Sequence, residues 1–271
     1  MIKHDLSQCV VWLTGASSGI GAALAKELSK TTCRLIISSR RKESLEAVAA
    51  ECQHLPAIIP LDVTDKTATM EAAKIIAERF GQLDIVIFNA GDCLYLDIDS
   101  LDQPIDVSIF EKMISTNFLS VVYGVAATLP FLKNSKQPHV LMMSSSAAYL
   151  PLPRAEAYGA SKAAVQYFGN TLRIHLAPHF IPVSVIYPGF VKTPLTHKND
   201  FPMPFLITAE QAAIKIIKGL VHYKSEISFP WPLILLLKTL SFLPVRWQVA
   251  ILKKTIKKTT KKTDNKTAKN S

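Results

Sequence analysis

The stretch Thr14-Gly15-Ala16-Ser17-Ser18-Gly19-Ile20-Gly21 decides the fold. It stands between an apolar run, residues 9–13, and a segment of helical length and apolar spacing, residues 20–29. A glycine-rich turn from strand to helix lets the backbone come close to a pyrophosphate. The helix start behind it offers unpaired N–H groups and a partial positive charge. An ordinary βα turn with a packing glycine can carry the same residues, but the position after a first strand points to a dinucleotide.

Further short apolar runs follow at residues 34–38, 57–61, 85–88, 140–143, 183–187 and 227–229, which together with 9–13 predict seven strands. None alternates apolar with polar residues, as suits strands covered by helices on both faces. Residues 42–53, 68–80 and 209–222 read as helices, and 106–132 and 156–178 as the two longest. This βα alternation predicts an α/β fold over residues 8–230: a Rossmann-like, doubly wound parallel sheet in a single domain.

The chain has 271 residues, 49% of them hydrophobic and 19% charged, enough to bury a full core. Its formal net charge is +10, yet residues 253–271 hold eight lysines and one aspartate, which leaves only about +3 for the remainder. A nearly balanced body argues against nucleic acid as partner. Cys9, Cys33, Cys52 and Cys93 lie far apart without a Cys-x-x-Cys spacing and read as reduced thiols. His175 and His179 share a helix face but lack the accompanying residues of a zinc motif, so no metal is expected. The first eight residues, Met-Ile-Lys-His-Asp-Leu-Ser-Gln, set polar residues where a signal peptide would hold its apolar run, so the chain is expected to begin in the cytoplasm.

The second strand ends Ser38-Ser39-Arg40-Arg41, where a site selective for NAD would offer a carboxylate to the ribose 2′-hydroxyl. Arginines there suit a 2′-phosphate and favour NADP(H); two solvated arginines at a helix start are the plainer alternative. Tyr158-Gly-Ala-Ser-Lys162 sets a phenol and an ammonium on one helix face at i and i+4. A phenol near pKa 10 becomes a useful acid or base when a cation lowers it, which this spacing offers. The same spacing also arises by chance on amphipathic helices. Ser144-Ser145-Ser146, closing an apolar strand upstream, changes the weighing, because strand ends in open α/β sheets border the ligand crevice.

The ordered set of these motifs resembles the short-chain dehydrogenase/reductase superfamily over nearly all of residues 8–230. The residues that carry it are Thr14 with Gly15, Gly19 and Gly21; Asp62-Val63; Asn89-Ala90-Gly91; Asn117; Ser145; Tyr158 with Lys162; and Pro188-Gly189 followed by Thr193. The resemblance implies hydride transfer between NADPH and a ketone or aldehyde, with Asn117, Ser145, Tyr158 and Lys162 catalytic. Tyr158 would donate the proton, Ser145 would hold the carbonyl oxygen, and Asn117 would support the water chain serving Lys162. It further implies cofactor contacts from Gly15, Ser17, Ser18, Gly19, Ile20, Gly21, Arg40, Asp62, Val63, Asn89, Ala90, Gly91, Tyr158, Lys162, Pro188, Gly189, Val191 and Thr193. Family spacing to the tyrosine selects Ser145, with Ser144 and Ser146 as alternatives. Phe88 departs from the pattern, since relatives usually carry an asparagine there. A cofactor-binding sensor or scaffold on the same fold is the rival reading.

Substrate choice falls to residues 190–208, where Phe201-Pro-Met203-Pro-Phe205 suggests a hydrophobic carbonyl, or else lid residues packed on the core. The acidic loop 92–106 is expected to edge the cleft. Residues 231–258 form an apolar and amphipathic C-terminal segment in which Val245, Val249, Leu252 and Ile256 make a helical stripe. With Trp231, Trp247 and the lysines it suits peripheral contact with the inner face of a membrane. A partner subunit in a homo-oligomer, or a cover over the cleft, suits the same stripe. Residues 259–271 form a basic tail that reads as disordered.

Overall fold

The computed structural model describes residues 4–96 and 105–253. The chain runs β1 (Val10–Thr14), α1 (Gly19–Leu28), β2 (Arg34–Ser38), α2 (Lys42–Ala50), β3 (Ala57–Ile58), α3 (Lys66–Phe80), β4 (Ile85–Phe88), α4 (Val107–Ile114), a π-helical turn (Ser115–Leu119) and α5 (Ser120–Leu132). It continues with β5 (His139–Met143), α6 (Glu156–Leu176), β6 (Val183–Pro188), β7 (Val191–Lys192), β8 (Ile207–Thr208), α7 (Ala209–Val221), β9 (Glu226–Phe229) and α8 (Trp231–Ser241). Seven strands pair in parallel in the order β3-β2-β1-β4-β5-β6-β9. The fold is the expected single-domain, doubly wound sheet.

Both faces of this sheet are apolar because both are covered. Val11 and Leu13 of β1 and Ile85 and Ile87 of β4 pack under α1, α2 and α7. Val10, Trp12, Val86 and Phe88, the alternate residues, pack under α3, α5 and α6. Alternation of side chains along a strand therefore sends apolar groups in both directions, the reason these strands read as continuous apolar runs. Caps mark the helix starts: Asp65 accepts from the Ala68 N–H, Asp106 from the Ser108 N–H, and Thr208 with Gln211 forms a capping box before α7.

The differences from expectation are local. β3 covers only Ala57–Ile58, although backbone pairing to the β2 side continues at Ile59 and Leu61. The helix anticipated over 106–132 is interrupted by the π turn, and that over 156–178 closes at Leu176, with Pro178 in a following 3-10 turn. Val107–Leu132 is the one described helical run long and apolar enough to cross a membrane by length and composition. Here it lies on the sheet, with Val121, Val125 and Leu132 in the core beneath α3 and α6. β7 and β8 pair as a separate small sheet that two-residue strands do not announce in sequence. The tip of the acidic loop, 97–104, and the tail from 254 lie outside the described residues.

Strand order reverses at β1, whose neighbours are β2 on one side and β4 on the other. A doubly wound sheet opens its crevice there, beyond the carboxyl ends of the strands. Thr14, Asn89, Ser144 and Gly189 follow or close β1, β4, β5 and β6 at that edge.

Candidate active site

The glycine turn is built so that no side chain can enter it. Gly15 has φ +67°, and a methyl there would stand 2.6 Å from the Ala90 Cα. A methyl at Gly21 would collide with the Gly15 carbonyl oxygen and stand 2.6 Å from the Asn89 amide nitrogen. Asn89 holds the turn from the end of β4, its amide donating to the carbonyls of Thr14 and Gly15 at 3.0 Å each. The Thr14 hydroxyl accepts from the N–H groups of Asn89 and Ala90. Ser18 caps α1 in extended geometry without a side-chain bond, so the N–H groups of Gly19, Ile20 and Gly21 point out of the first turn, with Ser17 beside them. Gly19, at φ +55°, faces Thr193, whose methyl would lie 3.1 Å from an added Cβ. The loop after β6 therefore meets the turn after β1.

Arg40 is exposed at the end of β2. Burial alone would raise the Asp62 carboxyl, but bonds from the Thr64 N–H and hydroxyl and the charge of nearby Arg40 hold it below the usual carboxylate range. Val63 and Ala90 line one recess with Thr14. Beyond β6, the Gly189 N–H donates to Phe229, and a methyl on Gly189 would stand 2.5 Å from Leu233 of α8. Val191 is buried in β7.

Ser144, Ser145 and Ser146 have separate tasks. The Ser144 hydroxyl donates to the Lys162 carbonyl at 2.8 Å, which ties β5 to α6, and Ser146 begins a short 3-10 turn. Ser145 accepts from the Ala147 N–H and stands near enough to Tyr158 to favour its ionised form. Lys162 is buried, and its ammonium donates to the Met143 carbonyl at 2.9 Å and stands 5.9 Å from the Tyr158 ring centre.

Asn117 is drawn inward by the π turn and is fully buried. Its amide donates to the Asp92 carbonyl and the Ser161 hydroxyl at 2.9 Å each, and its oxygen accepts from the Asp92 N–H at 2.8 Å. Gly91 is the meeting point: a methyl there would lie 3.0 Å from the Asn117 oxygen and 3.2 Å from the Lys162 ammonium.

The charge balance differs from the spacing argument. Burial dominates at Tyr158 and raises its phenol above the usual range, the Cys93 thiol adds to this, and the nearby Ser145 hydroxyl opposes it. Lys162 is lowered to about 8 by burial, with Cys93 acting the other way. Burial sets the direction at both groups, because low-polarity surroundings penalise every charge.

The family profile for the short chain dehydrogenases matches residues 9–202. The chain belongs to the short-chain dehydrogenase/reductase family. It is 34% identical over 243 residues to a Myxococcus xanthus protein named only as an uncharacterized oxidoreductase, covering 89% of this chain and 94% of that one. It is 33% identical over 200 residues to 11-beta-hydroxysteroid dehydrogenase A of Sesamum indicum, covering 72% of this chain and 56% of that one. It is 34% identical over 205 residues to the human dehydrogenase/reductase SDR family member 7, covering 73% and 59%. The chain thus spans little more than half the length of the sesame and human proteins. Family membership makes it an oxidoreductase fold that binds a nicotinamide dinucleotide.

In this oxidoreductase the structure joins residues that the sequence reading left apart. Cys93, read there as a bland thiol, lies near Tyr158, Lys162 and Tyr95; burial pushes it up to about 11. The Tyr95 ring meets Phe201 edge-on at 5.6 Å, Phe201 meets Phe190 at 6.1 Å, and the Arg154 guanidinium lies 5.7 Å from the Tyr95 ring centre. The sequence signals for this wall were the apolar segment holding Phe201 and the place of Cys93 and Tyr95 in the loop just after Asn89-Ala90-Gly91. Phe205, by contrast, is exposed and outside it. Phe88, the departure from the family pattern, packs its ring into the space that Gly124 of α5 leaves open. Among the described residues no three of His, Cys, Asp or Glu cluster as metal ligands.

Proposed function

We propose that this protein transfers a hydride between NADPH and a ketone or aldehyde carbonyl on a hydrophobic molecule. The observation that carries the reading is Ser145 set near Tyr158, with Lys162 and Asn117 gathered at Gly91, at the carboxyl ends of the central strands. The dinucleotide supplies or accepts the hydride when bound. A turn that admits no side chain, at the first N–H groups of α1, fits a pyrophosphate. Arg40, with no carboxylate at the end of β2, favours the 2′-phosphate of NADP(H).

Tyr158 holds the proton that passes to the oxygen of the reduced carbonyl, and Ser145 donates to the same oxygen. A phenol kept protonated by burial is a competent donor to an alkoxide, whose affinity for protons is far greater. Lys162 supplies positive charge where negative charge develops, and Asn117 fixes the backbone around Asp92. Tyr95, Phe190 and Phe201 offer an aromatic wall suited to an apolar substrate. The name of the sesame relative, a hydroxysteroid dehydrogenase, supports the same class.

The experiment is NADPH consumption against a series of ketones of rising apolar size. Turnover should rise along the series, and Tyr158→Phe should lose most of it while binding NADPH normally. Full turnover in that variant overturns the role of Tyr158. Binding of NADPH by the wild type with no turnover on any carbonyl favours the sensor.

A further inference from the structure

α8 has two unlike sides. Leu233 and Leu237 are buried against Leu150 and its neighbours, and Ile234 is buried too, whereas Trp231, Leu235 and Leu236 are exposed. Beyond the helix, the Gln248 amide donates to the carbonyls of Ser241 and Leu243, closing a turn into a helical stretch over residues 245–253. This turn brings Leu252 back onto the Leu233–Leu237 cluster and leaves Phe242, Val245 and Trp247 facing out at 88%, 72% and 54% exposure. The stripe read from the sequence is thereby divided: Leu252 packs on the body, while Val245 and Val249 do not.

Eight large apolar side chains are exposed within residues 231–251, among them two of the three tryptophans. That segment holds no acidic residue, and its Lys238 is bonded to Glu226 at 2.6 Å. The sequence directly after it carries the eight lysines of residues 253–271 against one aspartate. A water-facing surface seldom concentrates apolar groups in this way, and a protein partner gives no reason for the lysine run beside them. Apolar insertion beside dense positive charge is what an anionic lipid surface recognises.

We propose that the outer side of α8 and residues 242–251 form a docking face for an anionic bilayer, which the chain meets without crossing. The readout is binding, so the proposal stands or falls separately from the reductase reading.

The test is sedimentation of the full chain with vesicles of phosphatidylcholine alone, and of phosphatidylcholine mixed with phosphatidylglycerol, at low and high salt. The wild type should pellet with the mixed vesicles, most strongly at low salt. Phe242→Glu with Trp247→Glu, at two exposed positions, should lower the partition coefficient by roughly tenfold or more. A wild type that stays in the supernatant at low salt overturns the proposal. So does a double variant that pellets as well as the wild type, since the tail alone would then suffice. A dimer in sedimentation velocity that the double variant dissolves, with no vesicle binding, assigns the face to a second copy instead. A readout on the wild type needs no variant: Trp12 is buried in the core, so quenching by brominated lipid reports on Trp231 and Trp247. Absence of quenching also overturns the proposal.

Discussion

Acid should destabilise this protein through one histidine, by an amount the structure sets. His139 opens β5 fully buried, and its Nε2 is 2.7 Å from the Ser184 hydroxyl oxygen. Ser184 gives its own proton to the Lys224 carbonyl, so it accepts from His139, and the proton is assigned to Nε2. Nδ1 then faces no partner, and protonating it would bury a charge without an acceptor. The ring lies near-parallel to those of His4 and Tyr223, at 5.8 and 5.3 Å, and these two are 4.8 Å from each other. Burial, with the neighbouring His4 adding, holds its pKa at about 3 against 6.5 when free.

A base with a lowered folded pKa contributes full stability above the unfolded value and loses it as pH falls below. Each pH step under 6.5 removes about 1.4 kcal/mol, so between pH 7.5 and pH 5 the loss is about 2 kcal/mol from His139 alone. His4 is also held below its usual value, burial outweighing Gln137 and the nearby Asp5 and Asp84, and adds in the same direction. Urea unfolding at the two pH values, for the wild type and for His139→Gln, measures the difference. The variant should be less stable at neutral pH and show a much flatter dependence. An equal pH dependence in both proteins refutes the reasoning.

Arg40→Ala should weaken NADPH by about 1.5–3 kcal/mol, roughly ten- to a hundredfold, and leave NADH nearly unchanged, as titration calorimetry would show. Equal losses for both overturn NADP selectivity. Lys162, lowered to about 8, loses its charge as pH rises through that value, so kcat/KM for carbonyl reduction should fall above it. A flat profile across the window removes Lys162 from the proton chemistry. Gly21→Ala should force the turn open against the Gly15 carbonyl and Asn89, costing about 1–3 kcal/mol of stability and most NADPH affinity; an unchanged Kd would contradict this.

The sheet was legible because its strands have helices on both faces, so runs such as 85–88 and 140–143 needed no partner to be recognised. The catalytic candidates were legible because Tyr158 and Lys162 are close in sequence and Gly15, Gly19 and Gly21 share one turn. Choosing among three serines needed family spacing; in the structure the Ser144 hydroxyl is committed to the Lys162 carbonyl, and Ser145 is the one that acts on the Tyr158 phenol. Cys93, Tyr95 and Phe201 were not legible as one wall, because their contacts cross between separate loops and leave no periodic trace. Nor could spacing show that burial, rather than Lys162, governs the Tyr158 phenol, since desolvation depends on everything packed around the group.

The wide turn at Ser115–Leu119 works as a counting constraint. It accommodates one residue more than regular winding would, and each residue rotates a helix by about 100°. Deleting one position in that window would restore even winding and leave α5 in its phase on the sheet, but it would turn Asn117 away from Asp92 and Ser161. Substitutions along α4 and α5 are therefore tolerable wherever size and polarity are kept, whereas a change of length there is not.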